Sequence, residues 1–456
     1  MRLTILIGLV FSTFLGFAQK SKTKEKKEVQ PKLVIGIVVD QMRYDYLTRF
    51  WDRYGEGGFK KLVNKGYNCK NANYNYMPTY TGPGHASIYT GTTPENHGII
   101  SNTWYNKYAN DEMYCTGDSD ESTVGSKTES GKMSPKNLLS TTITDELKLA
   151  TNNKGKVIGM SIKDRGAILP AGHRADAAYW FDGGDEGKWI SSSFYMDQLP
   201  KWVQQINEKN NSNKYLQSSW ETLYPIESYT ASIADNNKYE GVFKGEKEPV
   251  FPHNLPALRD SNYNYSLIKS TPFGNTILKE LALAAIKEEG LGKDEFADFL
   301  TVSFSSPDYI GHQYGPMSVE IEDTYLRLDK DLEEILNYLE NNFEKDEVLI
   351  FLTADHGAVN VPQYLMDNSL PAGYFSLSDF KTELNTFIKG KYNTDSIVAN
   401  VSNYQVFLNH NYINKNGLNI GLIEDDIARF GLTQKGVAKA VTASALKTTV
   451  YTERIV

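Results

Sequence analysis

Cysteine is nearly absent: of 456 residues only Cys69 and Cys115 carry a thiol. Two cysteines give no pattern for zinc binding through sulfur. In an exported chain they predict one disulfide, Cys69–Cys115, tying the segment before Thr81 to the segment after it. An excess of basic charge is also missing. Against 56 Asp and Glu there are 48 Lys and Arg, a net charge of −8 with no basic stripe, which argues against a nucleic-acid partner. An anionic small molecule stays open, because bound metal ions would dominate the local field. No internal repeat is present. The apolar run Leu3 to Phe17 is too short for a membrane span.

That run has another reading. Met1-Arg2 is a basic start, and Gly16-Phe17-Ala18 puts small residues before Gln19, so residues 1–18 predict a secretory signal cleaved near Ala18. Residues 19–30 follow as a flexible charged leader, and the expected location is periplasmic or extracellular. The 29 tyrosines are an excess of the kind that lines clefts and surface loops.

Leu33 to Val39 is a continuous apolar, β-branched run, the mark of a strand buried on both faces, and it ends in Asp40. Val157 to Ile162 ends in Lys163-Asp164-Arg165, and Phe299 to Phe304 leads to Asp308 and His312. Val348 to Thr353 leads to Asp355-His356. Helical spacing recurs between them, at 137–150, 276–289 and 320–341, and short strands are expected at 178–180 and 189–191. The alternation predicts one α/β catalytic domain over 31–456 with a largely parallel sheet covered by helices on both faces. About 200–272 breaks the rhythm and reads as an inserted cap. Helix 438–446 and a strand at 448–451 close the chain.

Ligands of an open α/β sheet bind at the carboxyl ends of its strands, where Asp40, Lys163, Arg165, Asp308 and Asp355 all fall. A single Asp in such a place usually caps a helix; several, two with a nearby His, suit a site better. Asp308 and His312 are four apart and can share a metal, whereas adjacent Asp355 and His356 need a bent loop to do so. Oxygen and imidazole donors fit Zn²⁺, with Mn²⁺ or Fe also compatible. Met77 to Gly91 reads as a loop turning into a helix, with Pro83 in its first turn. Thr81 there either caps the helix or presents its oxygen, among free N–H groups, to a phosphoryl group. Asn102 is placed to donate to a phosphate oxygen. Lys163 and Arg165, alternating on extended chain, can reach the same oxyanion. His85 is expected to bond within the Thr81 loop, His97 to pack, His173 to support a loop, and His253 to be exposed.

Asp40, Thr81-Gly-Pro-Gly-His85, Asp308-x-x-x-His312 and Thr-Ala-Asp355-His356-Gly together resemble the alkaline phosphatase superfamily, in its phosphodiesterase/nucleotide-pyrophosphatase-like branch. Asn102 and the stretch Lys163 to His173 resemble the PafA-type bacterial enzymes within it. The resemblance implies two zinc ions per complete domain, one on Asp40, Asp355 and His356 beside Thr81, the other on Asp308 and His312. It further implies small phosphate monoesters as substrates, a phosphothreonine at Thr81, and Asn102, Lys163 and Arg165 on the phosphate oxygens. The Cys-x-Pro-x-Arg context of sulfatases does not occur.

One feature departs from the family. The further His expected on the second zinc has no match, since the last histidine, His410, lies in Phe-Leu-Asn-His-Asn-Tyr. The chain is therefore expected to lack a C-terminal part of the domain and to bind its second metal poorly. A monomer is expected. The other readings are a phosphodiesterase or nucleotide pyrophosphatase on the same scaffold, and a non-catalytic binder of phosphorylated ligands.

Overall fold

The computed structural model describes residues 30–448. The expectations for the signal segment and leader, and for a strand running on to Tyr451, lie outside the described residues; Thr448 itself ends a helix, Ala443–Thr448.

The strands are β1 Leu33–Val39, β2 Thr103–Asn106, β3 Asp111–Tyr114, β4 Thr123–Val124, β5 Val157–Ser161, β6 Ala177–Asp182, β7 Lys188–Ser192, β8 Asp298–Phe304, β9 Val348–Thr353, β10 Val398–Ser402 and β11 Gln405–Leu408. Seven of them form one sheet in the order β4-β7-β6-β5-β8-β1-β9. From β6 to β9 every neighbour is parallel, while β7 runs antiparallel to β6 and to β4. The α/β expectation therefore holds, with an antiparallel margin that the hairpin β6–β7 supplies. Register sets where the central strands end. Val39 pairs with Phe304, Val38 with Thr353 and Ser161 with Ser303, so β1, β8, β9 and β5 run out at one level.

The main core lies between this sheet and the long helix Val319–Asn342. Part of the tyrosine excess goes to this core, and part to the surface, where Tyr67, Tyr108 and Tyr263 are exposed. Tyr46 stacks against Phe50 and tilts onto Tyr325 at ring separations of 5.5 and 4.6 Å, fastening the segment after β1 to the long helix. Each such aromatic pair is worth about 0.5–1.5 kcal/mol beyond its burial. A smaller core gathers Leu384, Ile388, Ile397, Ile413, Ile423 and neighbours, from helices Leu377–Tyr392, His410–Lys415 and Ile420–Leu432 and the hairpin β10–β11.

Residues 200–272 contain only short helices, as their irregular pattern implied, yet Trp202, Leu216, Trp220, Phe243 and Leu255 join the main core. Within this stretch His253 corrects the sequence reading, for it is fully buried rather than exposed. Trp220 and His253 exchange main-chain hydrogen bonds of 2.9 and 3.1 Å, which draws the imidazole among Phe243, Phe251 and Tyr314. Its Nδ1 lies 2.9 Å from Glu246 and its Nε2 3.3 Å from Glu320. Burial pulls the imidazole down, but the two carboxylates outweigh it and raise it to about 9. Burial likewise raises Glu320 to about 7.

Both groups hold protons in the folded chain that they lose in the unfolded one. Glu320's contribution to stability fades as pH rises through about 7. That of His253 is complete below its ordinary 6.5 and is lost as pH rises through about 9. The melting temperature is therefore expected to fall steadily from about pH 6 to about pH 10. His253→Leu should start on the order of 3 kcal/mol lower and flatten the upper part of that descent. Thermal melts across the range check this, and parallel curves for the two proteins would count against it.

The disulfide is not formed. Cys115 is buried and Cys69 exposed, both as free thiols. Cys115 packs with Ala86, Ile99 and Leu138 beneath the helix that starts at Thr81, and burial there raises its thiol to about 12.

Candidate active site

Because four strands end level, the residues just past them converge. Asp40 follows β1 directly, Asp355 lies two residues past β9 and Lys163 two past β5. Asp308 and His312 stand on the helix Ser306–Tyr314 that follows β8. Thr81 comes from outside the sheet, as the first residue of the helix Thr81–Thr90. That helix lies directly on the end of β9. A Cβ at Gly84 would stand 2.3 Å from the Asp355 carbonyl oxygen, so only glycine permits this approach.

Asp40, Asp355 and His356 offer ligand atoms that all lie within 4.8 Å of one another, the one such group of three or more among the described residues. The loop bends as adjacent ligands require. His356 Nε2 stands 3.4 Å from Asp40 Oδ1 and 3.8 Å from Asp355 Oδ2. Both those carboxylate oxygens are buried and have no hydrogen-bond partner, although the His85 ring is 3.2 Å from Asp355 Oδ2. Buried unsatisfied oxygens facing an imidazole are costly unless a cation completes them, so the donor set fits a bound metal ion. Burial alone would raise the Asp355 carboxyl, but His356, His85 and Lys163 outweigh it and hold it well below the ordinary range. For His356, burial is overcome by Asp355 and Asp40, which raise it to about 10.

Asp308 and His312 form a separate pair, 3.2 Å apart, with the imidazole exposed. Asp308 Oδ1 is 3.8 Å from His356, so the pair adjoins the first group without merging with it.

The two cations depart from the sequence reading. A helix begins at Asp164, so Lys163 and Arg165 do not alternate along extended chain. Buried Lys163 extends its Nζ between Asp40 Oδ2, at 2.7 Å, and Asp308 Oδ2, at 2.5 Å. Burial opposes its charge, yet these two carboxylates raise it above the ordinary lysine range. Arg165 turns to Tyr114, whose hydroxyl accepts from Nη1 at 3.0 Å and donates to Asp164 at 2.7 Å. The Arg165 Nε is buried without a partner.

Thr81 is nearly fully buried and is the first helical residue, after the N-cap Tyr80, which makes no side-chain cap, so the Thr81 hydroxyl is not spent on capping. The end is closed instead by Asn102, whose Oδ1 accepts the Gly82 N–H at 2.7 Å, leaving the amide NH₂ as its donor end. His85 bonds to the Thr81 carbonyl at 2.9 Å, as expected, and also to Ser303 at 2.7 Å. His97 packs against Ser87, and His173 braces Asp145 and the Leu138 carbonyl.

Three participants were missed from sequence: Gln41, Tyr114 and the link from His85 to Asp355. The position of Gln41 directly after Asp40 was the available signal. Tyr114 offered none.

A family model described as type I phosphodiesterase/nucleotide pyrophosphatase matches residues 34–415. A Myroides odoratus protein named calcium-transporting ATPase is 49% identical over 405 residues, 88% of this chain and 73% of that protein. Alkaline phosphatase PhoV of Synechococcus elongatus is 48% identical over 430 residues, 93% and 77% of the two chains. The crystal structure of wild-type alkaline phosphatase PafA superposes with a TM-score of 0.89 at 42% identity, over 94% of this chain and 81% of that one. A solved PafA variant carrying substitutions of a threonine, an asparagine, a lysine and an arginine superposes equally well.

Proposed function

The chain belongs to the type I phosphodiesterase/nucleotide pyrophosphatase family, and from that footing we propose that it is an exported, metal-dependent alkaline phosphatase. It hydrolyses small phosphate monoesters through a phosphothreonine at Thr81. The observation that carries this reading is the pair of buried, unpartnered oxygens on Asp40 and Asp355, facing His356 beneath the helix that Thr81 begins.

Asp40, Asp355 and His356 would hold one zinc ion, and Asp308 with His312 the other. Zinc supplies Lewis-acid polarisation and charge stabilisation at the phosphoryl group. Thr81 is the nucleophile: its oxygen bonds to phosphorus as the alcohol departs, and water later releases phosphate. The helix N-terminus favours the negative charge brought there. The NH₂ of Asn102, fixed through its own oxygen to Gly82, donates to a phosphate oxygen. Arg165, steadied by Tyr114, offers its unpartnered Nε side. Lys163, held between Asp40 and Asp308, would supply the second positive charge beside the phosphate.

Two fixed cations match the second negative charge of a monoester, which a diester lacks. The residue types altered in the solved PafA variant are those of Thr81, Asn102, Lys163 and Arg165, in the same chain order. Residues 200–272 act as a cap beside the site, a reading supported by the 2.8 Å bond from Gly241 to the carbonyl of Gln313, next to His312.

Rates on p-nitrophenyl phosphate and bis-p-nitrophenyl phosphate test the proposal. The expected monoester preference in kcat/KM is at least about 100-fold, or roughly 2.7 kcal/mol of transition-state stabilisation. Arg165→Ala should narrow it. A preference for the diester would make the enzyme a phosphodiesterase instead.

A further inference from the structure

Gln41 stands where the backbone leaves β1. It is 5% exposed, and its φ of +62° lies in the left-handed region that residues other than glycine adopt at a cost. A strained, buried amide beside a carboxylate cluster asks for a reason, and its contacts supply one. Its backbone N–H donates to Asp355 Oδ1 at 3.1 Å, and its side-chain Nε2 donates to Asp308 Oδ1 at 2.8 Å. The fit reaches across to the helix of Asp308. A Cβ on Gly311 would come within 2.0 Å of Gln41 Oε1, so a residue with no side chain makes room for the amide.

We propose that Gln41 is a positioning residue, joining the two candidate metal sites by fixing one oxygen of a carboxylate in each. The inference rests on the metal-dependent reading of the site. At Asp355 the bond leaves Oδ2 buried without a hydrogen-bond partner. At Asp308 the amide holds Oδ1, the oxygen 3.2 Å from His312, while Oδ2 faces the ammonium of Lys163. The chemistry suits the task. A neutral amide orients a carboxylate without competing for it, whereas a lysine there would itself act as the cation. Groups that orient metal ligands in this way typically change metal affinity by about 10- to 100-fold when removed.

The two halves of the clamp are separable, because the bond to Asp355 uses the backbone and survives any substitution except proline. Gln41→Gly keeps that bond, removes the left-handed strain and deletes only the bond to Asp308. Zinc isotherms on the metal-free chain, with a competing chelator, should show two steps, the weaker assigned by its loss in Asp308→Asn. In Gln41→Gly the weaker step is expected to weaken at least about tenfold while the tighter step stays within about threefold. The metal-free melting temperature should be unchanged or higher. Gln41→Glu, which sets a carboxylate against Asp308, should weaken the same step further. Unchanged isotherms in Gln41→Gly, or equal weakening of both steps, overturn the proposal alone. A wild-type chain that shows no zinc step overturns the metal reading, and the role of Gln41 with it.

Discussion

Thr81→Ala is expected to abolish turnover of p-nitrophenyl phosphate, lowering kcat by at least about 10³-fold, on the order of 4 kcal/mol. The fold should survive, because the Thr81 hydroxyl caps nothing. The helix end is closed by Asn102 on the Gly82 N–H, and the His85 bond goes to the Thr81 carbonyl, which alanine keeps. A melting temperature within a few degrees of wild type, together with lost turnover, would separate a chemical role from a structural one. Thr81→Ser keeps an oxygen in place and should retain part of the activity. If Thr81→Ala still turns over at near wild-type rates, the attacking oxygen lies elsewhere.

Loss of metal should be as damaging. Asp355→Asn removes the charge of a fully buried carboxylate whose Oδ2 has no hydrogen-bond partner and whose neighbours hold it ionised. Zinc content is expected to fall by at least one ion per chain, and activity by about 10³-fold or more. Chelation of the wild type should reproduce the loss, and added Zn²⁺ should restore only the wild type. Zinc that binds the native state should also stabilise it, by about 2.7 kcal/mol at a hundredfold excess over Kd, and so raise its melting temperature. Full activity in Asp355→Asn, or after exhaustive chelation, would remove metal from the account.

The strands and the groups at their ends were legible because burial writes itself plainly. β1 is apolar but for Gly36 and β8 is mostly apolar or β-branched, and Asp40, Lys163, Asp308 and Asp355 come just after such runs. The helix start at Thr81 was legible from Pro83. What escaped was set by contacts between distant segments. Gln41 meets Asp355 and Asp308 across 314 and 267 residues, and no local pattern encodes either bond.

His253 lies in the irregular stretch read as a cap and was expected to be exposed, yet pairing with Trp220 and two carboxylates draws it into the core. The turn into a helix at Asp164 separated Lys163 from Arg165, because the preference for a helix start there overrode the extended spacing. The expected disulfide failed for a similar reason. Cys115 was claimed by the packing beneath the Thr81 helix, while Cys69 stayed on the surface.

The central claim is a covalent phosphothreonine at Thr81, and trapping it is the most direct measurement. Wild-type chain turning over a monoester would be quenched in acid, digested and read by mass spectrometry. The account predicts phosphate on the peptide carrying Thr81, present with substrate and absent both without it and in Thr81→Ala. Rapid turnover with that peptide unmodified at every quench time, or phosphate on another residue, would contradict it.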